Sequence, residues 1–343
     1  MRFLSIDKVA PGAKLAKPVY GENGTIMLRE NYILTSSMVG RLKELGYVGV
    51  YIDDEISKDI HIEDIVSEKL RLETASRLEE IMKKNGNVID LMPNIKDIVE
   101  SVIANKDVVS NMNRILGHHE YTYLHCVNVS IYSVLIGIKH NLTHSELLHL
   151  GTTGILHDIG KRYIPIEILD KPGRLTKEEF EIIKTHPMKG YEILKGCREL
   201  TSTIKAVVLQ HHERYDGTGY PMGLKGEEIS KYGRIIAIAD TYDAMTSDRA
   251  YHKAYSPPEA IEFLMGDGNR SFDTSIVLKF LQCVAVYPLG SCVELSNKMT
   301  AIVVENYSDS ILRPLVRLTE EPLLIDLKND KNYLNVCITR ILE

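Results

Sequence analysis

The sequence predicts a mainly α protein with a small β-rich unit at its N-terminus and a small β module at its C-terminus. Three observations carry this expectation. Residues 111–285 keep a helical apolar period almost throughout, short apolar runs broken by turn residues occupy both ends, and the capping-box pairs that mark helix starts fall in the middle.

Taken in order, residues 1–53 read as a small α/β unit. Turn signals at Pro11-Gly12 and Gly21-Glu22-Asn23-Gly24 separate short apolar runs, an amphipathic stretch covers Ser37 to Leu45, and Val48 to Ile52 is strand-like. Residues 54–110 are more charged. Ile65, Leu70, Leu78, Ile81 and Met82 recur at roughly helical spacing, which predicts one or two connecting helices broken at Asn85-Gly86-Asn87. The third unit, 111–285, opens helices at Thr143-x-x-Glu146, Thr176-x-x-Glu179 and Ser256-Pro257-Pro258-Glu259, with apolar helices such as Val127 to Ile138 for a core. Beyond Tyr287-Pro288-Leu289-Gly290, strands are expected at 292–295, 301–304, 315–318 and 323–327, so 286–343 reads as the β module.

Composition excludes several classes of function. A net charge of −6 argues against a chain built to coat a nucleic-acid polymer, so an anionic substrate must be met by local cations or metals. Cys126, Cys197, Cys283, Cys292 and Cys337 are scattered with no C-x-x-C pair, which reads as reduced thiols and a cytoplasmic location. Met1 to Asp7 lacks the apolar core of a signal peptide, and no run approaches the ~20 apolar residues of a membrane helix.

The chemistry gathers in the helical unit. His157-Asp158 is set in the apolar run Ile155 to Lys161, read as helix, and Asp240 follows Ile235-Ile236-Ala237-Ile238-Ala239. Ionisable groups in apolar helices are costly unless paired or bound to metal. A lone buried histidine reads more often as a hydrogen-bonded core residue. The set of His125, His157, Asp158, His186, His211, His212 and Asp240 mixes imidazoles and carboxylates as first-row divalent metals accept them. His211-His212 runs into Asp216-Gly217-Thr218-Gly219-Tyr220-Pro221, either a plain helix stop or a rigid rim whose Tyr220 could stack on a base. His61, His140, His144 and His149 are expected at the surface or in caps, and His118 and His119 are less settled.

Residues from about 118 to 285 resemble the HD-GYP family, a branch of the HD metal-dependent phosphohydrolases. The resemblance rests on His157-Asp158 with Gly160-Lys161, on Gly219-Tyr220-Pro221 after His211-His212, and on the stretches Ile168 to Thr176, His186-Pro187 and Asp240 to Arg249. It implies a helical HD-type domain that hydrolyses cyclic di-GMP to pGpG, and often on to GMP, with iron or manganese. Carried over, it assigns His125, His157, Asp158 and Asp240 to one metal ion, and His186, His211 and His212 to a second that Asp158 bridges. A hydroxide between the metals is the implied nucleophile. Asp158 and Lys161 are then the catalytic pair, with Lys161, Tyr220, Arg249 and Lys253 on the substrate. Two departures stand out. Tyr121 occupies the place where some members carry a glutamate for a third metal, and Glu120 is out of phase with it, so two metals are expected. His252 stands where the family is often basic. The alternatives are an HD-type hydrolase of another cyclic dinucleotide or nucleotide, and a catalytically silent scaffold that binds cyclic di-GMP. No membrane insertion is expected; the chain could pair with a second copy through residues 60–84 or with protein partners.

Overall fold

The structure is a computed structural model and describes all residues except 22, 107–120, 248–253, 308, 322 and 343, together with the side chains of residues 121 and 122. At the N-terminus, β1 (Arg2–Ser5) and β2 (Lys14–Leu15) flank β5 (Gly49–Asp53), both antiparallel to it. A short hairpin, β3 (Val19–Tyr20) and β4 (Ile26–Leu28), and helix α1 (Ser36–Glu44) complete the unit. Strand alternation divides the faces of β5. Val50 and Ile52 enter a core with Leu15, Leu34 and Leu42, while Tyr51 points the other way, onto Ile60, Ile62 and Ile302 of the C-terminal sheet.

Helix α2 (Glu68–Lys84) starts on the Ser67 cap and stops at Asn85, whose left-handed backbone (φ 55°) ends the helix where the Asn-Gly-Asn signal stands. Ile65 precedes the helix rather than belonging to it. Helix α3 (Met92–Ala104) opens with proline in its first turn. Both helices pack on the central pair, α4 (Tyr121–Lys139) and α5 (His144–Leu156), and Leu78, Ile95, Ile98 and Val99 share one core with Val127, Val134 and Leu150.

After α5 the chain makes a 3-10 turn (Ile159–Tyr163), then α6 (Ile166–Leu169), α7 (Lys177–Ile183), α8 (His186–Lys195), α9 (Ser202–Gln210), α10 (Lys231–Met245), α11 (Pro257–Gly266) and α12 (Thr274–Phe280). The capping boxes at Thr143/Glu146, Thr176/Glu179 and Ser256/Glu259 all close. The expectation of His157-Asp158 within a helix is corrected: α5 ends at Leu156, and the pair occupies the turn between it and the 3-10 segment.

The C-terminal module is a five-stranded antiparallel sheet, ordered β10 (Ile338–Ile341), β6 (Cys292–Leu295), β7 (Thr300–Glu305), β8 (Leu315–Leu318), β9 (Leu324–Asp326). β10 is an addition to the strands expected from sequence: it is short, its middle residues Thr339 and Arg340 are exposed, and only pairing with β6 defines it. This sheet meets the segment after β5 through the Arg317–Asp59 pair (2.5 and 2.6 Å), and Arg2 of β1, itself paired with Asp54 (2.8 Å), reaches Cys292 of β6 (3.5 Å). No helix among the described residues is long and apolar enough to cross a membrane.

Candidate metal centre

Five elements bring the polar groups together. α4 supplies His125, the exit of α5 supplies His157 and Asp158, the start of α8 supplies His186, the end of α9 supplies His211 and His212, and α10 supplies Asp240. The 3-10 turn after α5 can come so close to α8 because Gly160 has no side chain. A Cβ there would lie 1.9 Å from the His186 carbonyl oxygen and 2.5 Å from the Gly190 nitrogen. That approach sets His186 Nε2 3.3 Å from Asp158 Oδ1.

Three of the imidazoles are oriented in the same way. His157 Nδ1 donates to the Gly154 carbonyl (2.8 Å), His186 Nδ1 to Ile183 (2.7 Å) and His211 Nδ1 to Val208 (2.7 Å). A carbonyl can only accept, so each Nδ1 carries a proton, and in the neutral ring Nε2 is left with a lone pair. Burial, reinforced by the neighbouring imidazoles, drives His211 well below its ordinary value and His212 down to about 3, so both are neutral. His211 therefore turns its Nε2 lone pair inward, 3.0 Å from His186 Nε2, an arrangement suited to a Lewis acid beside them. His157 Nε2 and Asp158 Oδ1 are buried without a hydrogen-bond partner, which is costly unless a cation fills the gap.

The donor atoms fall into two groups that share one carboxylate. Those of Asp158, His186, His211 and His212 lie within 4.8 Å of one another, as do those of His125, His157 and Asp158. Asp240 stands between the groups, 3.1 Å from His125 Nε2 and 3.9 Å from His212 Nδ1. Burial alone would raise the Asp158 carboxyl, yet Lys161 and His157 beside it hold it well below the ordinary range. Asp240 is likewise ionised, its hydrogen bond and attraction to His125 outweighing burial. Burial would lower His125, but bonds to Asp240 and Asp243 raise it to about 9. Buried imidazoles and ionised carboxylates in this ratio suit a divalent metal ion.

Two supporting carboxylates carry signals that the sequence reading did not assign. Asp243, one turn beyond Asp240 on α10, accepts His125 Nδ1 at 2.7 Å and Asn128 Nδ2 at 2.9 Å. Glu213, buried directly after His212, accepts the Met222 and Leu224 amides at 2.7 and 2.9 Å and so holds the Gly-Tyr-Pro loop. The i, i+3 spacing of Asp240 and Asp243 was a usable signal; nothing in the sequence says that Glu213 turns inward.

The remaining residues singled out from sequence are placed as follows. Lys161 Nζ lies 2.5 Å from Asp158 Oδ2. The Tyr220 ring stacks on His212 at 4.8 Å, and burial pushes its hydroxyl well above its ordinary value. Gly219 lets the loop fold back, since a Cβ there would lie 2.3 Å from the Arg214 nitrogen. His144 is the first residue of α5, after the Thr143 cap, and pairs with Glu100 at 2.8 Å. Arg249, His252, Lys253, His118, His119, Glu120 and the side chain of Tyr121 lie outside the described residues.

Comparison with known proteins agrees with this geometry. The sequence profile of the HD domain family matches residues 97–276, more than half of the chain. A cyclic di-GMP phosphodiesterase of Pseudomonas aeruginosa is 38% identical over 224 residues, 65% of this chain and 54% of that protein. One of Thermotoga maritima is 38% identical over 162 residues, covering 47% and 44%. A 3'3'-cGAMP-specific phosphodiesterase of Vibrio cholerae is 35% identical over 191 residues, covering 55% and 37%. The chain thus spans about half or less of the length of these relatives. The solved structure of Bd1817, an HDG"Y"P protein of Bdellovibrio bacteriovorus, has the same fold, with a TM-score of 0.53 at 18% identity over 81% of this chain and 97% of that one. With its His157-Asp158 pair at the centre and its Gly219-Tyr220-Pro221 loop at the rim, the chain belongs to the HD domain family, in the HD-GYP branch.

Proposed function

We propose that the chain is a metal-dependent phosphodiesterase that hydrolyses cyclic di-GMP to pGpG and onward to GMP. The observation that carries this reading is the pair of inward Nε2 atoms of His186 and His211, 3.0 Å apart, beside the unpartnered Asp158 oxygen. Such a site is built for cations, and the relatives named above cleave cyclic dinucleotides.

In this reading His125, His157, Asp158 and Asp240 would hold one ion and Asp158, His186, His211 and His212 a second. Bound there, iron or manganese, the metals of the family resemblance, would supply Lewis-acid polarisation of the phosphoryl oxygens and a water of lowered pKa. The protein does the rest. Asp243 fixes the ring of His125, backbone carbonyls fix three further rings, and Glu213 fixes the loop that carries Tyr220 over His212. Lys161 moves from Asp158 toward the substrate phosphate, and Arg249 and Lys253 add charge there. The terminal units, 1–53 and 286–343, flank a connector and the catalytic domain of 111–285. Five cysteines with no disulfide between them fit a reducing, cytoplasmic setting. Signalling partners or a second copy are further expectations of this reading.

Anaerobic purification with elemental analysis, followed by chromatography of a cyclic di-GMP digest, tests the proposal. About two iron or manganese ions per chain, with pGpG or GMP appearing, is the expected result. A metal-loaded protein that leaves cyclic di-GMP intact even in manganese buffer sinks it. The 35% identity to a 3'3'-cGAMP-specific enzyme supports a second reading, another cyclic dinucleotide as substrate, and parallel digests of that compound separate the two.

A further inference from the structure

Beyond the metal centre, the aromatic surface continues outward from Tyr220. Its ring stacks on His212 on one side and meets Phe180 of α7 edge-on, with centroids 6.4 Å apart. Phe180 is 44% exposed. The Lys184 ammonium lies over both rings, 4.9 Å from the Phe180 centroid and 5.9 Å from that of Tyr220. Its single carboxylate partner, among the described residues, is Glu181 on the same solvent-facing turn (2.6 Å), and exposed pairs of that kind are weak enough to be exchanged for a ligand. Phe180 lies on α7 and Lys184 at its C-terminal end, just before α8 opens with His186.

A half-exposed ring beside a cation, one nucleotide's reach from a site for phosphate chemistry, has the parts of a purine subsite. Aromatic rings stack any base, which gives affinity. A lysine donor selects among bases, because guanine presents the O6 and N7 acceptors on one edge whereas adenine presents an amino donor there.

We propose that Phe180 and Lys184 form a guanine platform: the base stacks on Phe180, and Lys184 donates to its O6/N7 edge, favouring guanine over adenine in the cyclic dinucleotide. The inference rests on the phosphodiesterase reading for its ligand class, but it has its own test. The chain contains no tryptophan, so F180W places a sole indole at the platform. Mixing the metal-loaded full-length variant with cyclic di-GMP in a stopped-flow fluorimeter is expected to quench that indole on binding, before product appears.

In steady state, F180A is expected to raise KM for cyclic di-GMP about 5- to 100-fold, by loss of stacking. K184M is expected to lower the ratio of kcat/KM for cyclic di-GMP over cyclic di-AMP by roughly tenfold or more. Hydrolysis without quenching, and with the ratio intact in K184M, overturns the platform while leaving the phosphodiesterase reading standing. Quenching with an unchanged ratio overturns the role of Lys184. Quenching in a protein that hydrolyses nothing supports the platform and sinks the enzymatic reading, and absence of both signals ends both.

Discussion

Where the two terminal β units meet, each cation has its own carboxylate. Arg317 grips Asp59 through two bonds and Arg2 binds Asp54, with the acids left 58% and 26% exposed. At the centre of the helices the inventory does not close in this way. Asp158, Asp240 and Asp243 are all buried or nearly so, while His157, His186 and His211 spend Nδ1 on backbone carbonyls and turn Nε2 inward. The first region pairs charges within the chain and holds two pieces together. The second leaves acceptors in excess, which is tolerable only if a cation arrives from outside. Excess of buried acceptors, rather than burial of charge as such, therefore distinguishes a binding centre from a structural pair.

The largest expected effect breaks the centre at its shared carboxylate. Asp158→Asn keeps the shape but removes the charge common to both donor groups. Activity on cyclic di-GMP should fall by more than about 100-fold, beyond the 10- to 100-fold typical of supporting groups, and bound metal should fall with it. Full activity and full metal content in D158N would show that the carboxylate excess is not what holds the ions. The same substitution should leave the terminal junction untouched.

Next in size is Asp243→Asn, which removes the charge behind His125 without touching the donor groups. Metal affinity should drop about 10- to 100-fold, while kcat at saturating metal changes less. A competition titration against a chelator, run beside steady-state kinetics, reads both. Equal losses in the two quantities would mean that Asp243 acts on the reaction itself rather than through His125.

How far the sequence reaches is clear from these residues. The helix starts at Thr143, Thr176 and Ser256 were legible because a capping box is a local pattern of side chain and backbone. The metal-centre candidates were legible as a set, since five histidines in apolar or histidine-rich company are hard to explain singly. The break at His157-Asp158 was not legible. Apolar spacing continues through Ile159, and the turn is imposed by α8 pressing on Gly160, a contact with residues some 26 to 30 positions away. Tautomers were beyond reach for the same reason, being set by which carbonyl each helix end leaves free. Strand β10 needed its partner β6, more than 40 residues upstream, to be recognised.

Glu213 gives a smaller effect, between the two regions in character: a buried charge satisfied by two backbone amides of the loop. Glu213→Gln keeps one good acceptor and replaces the other with a donor facing an N–H. A local cost of about 1–3 kcal/mol is expected. It should appear as faster hydrogen exchange at Met222 and Leu224 and a raised KM, with metal content unchanged. Loss of metal in E213Q would place the residue in the cation site instead.

The smallest effect belongs to the junction. The hydrogen bond from Arg317 holds the Asp59 carboxyl down at about 2, against an ordinary 3.8. A folded-state value below the unfolded one means that the pair stabilises the fold above about pH 3.8, and that this contribution disappears as pH falls through about 2. Because Asp59 is mostly exposed, solvent screens the gain, and Arg317→Gln should cost no more than about 1 kcal/mol near neutral pH. An NMR titration of the carboxyl should show Asp59 returning toward 3.8 in R317Q, with metal content and hydrolysis unaltered. A change in either would mean that the junction and the centre are coupled, and that the contrast between a self-paired region and a cation-requiring one does not describe two independent parts.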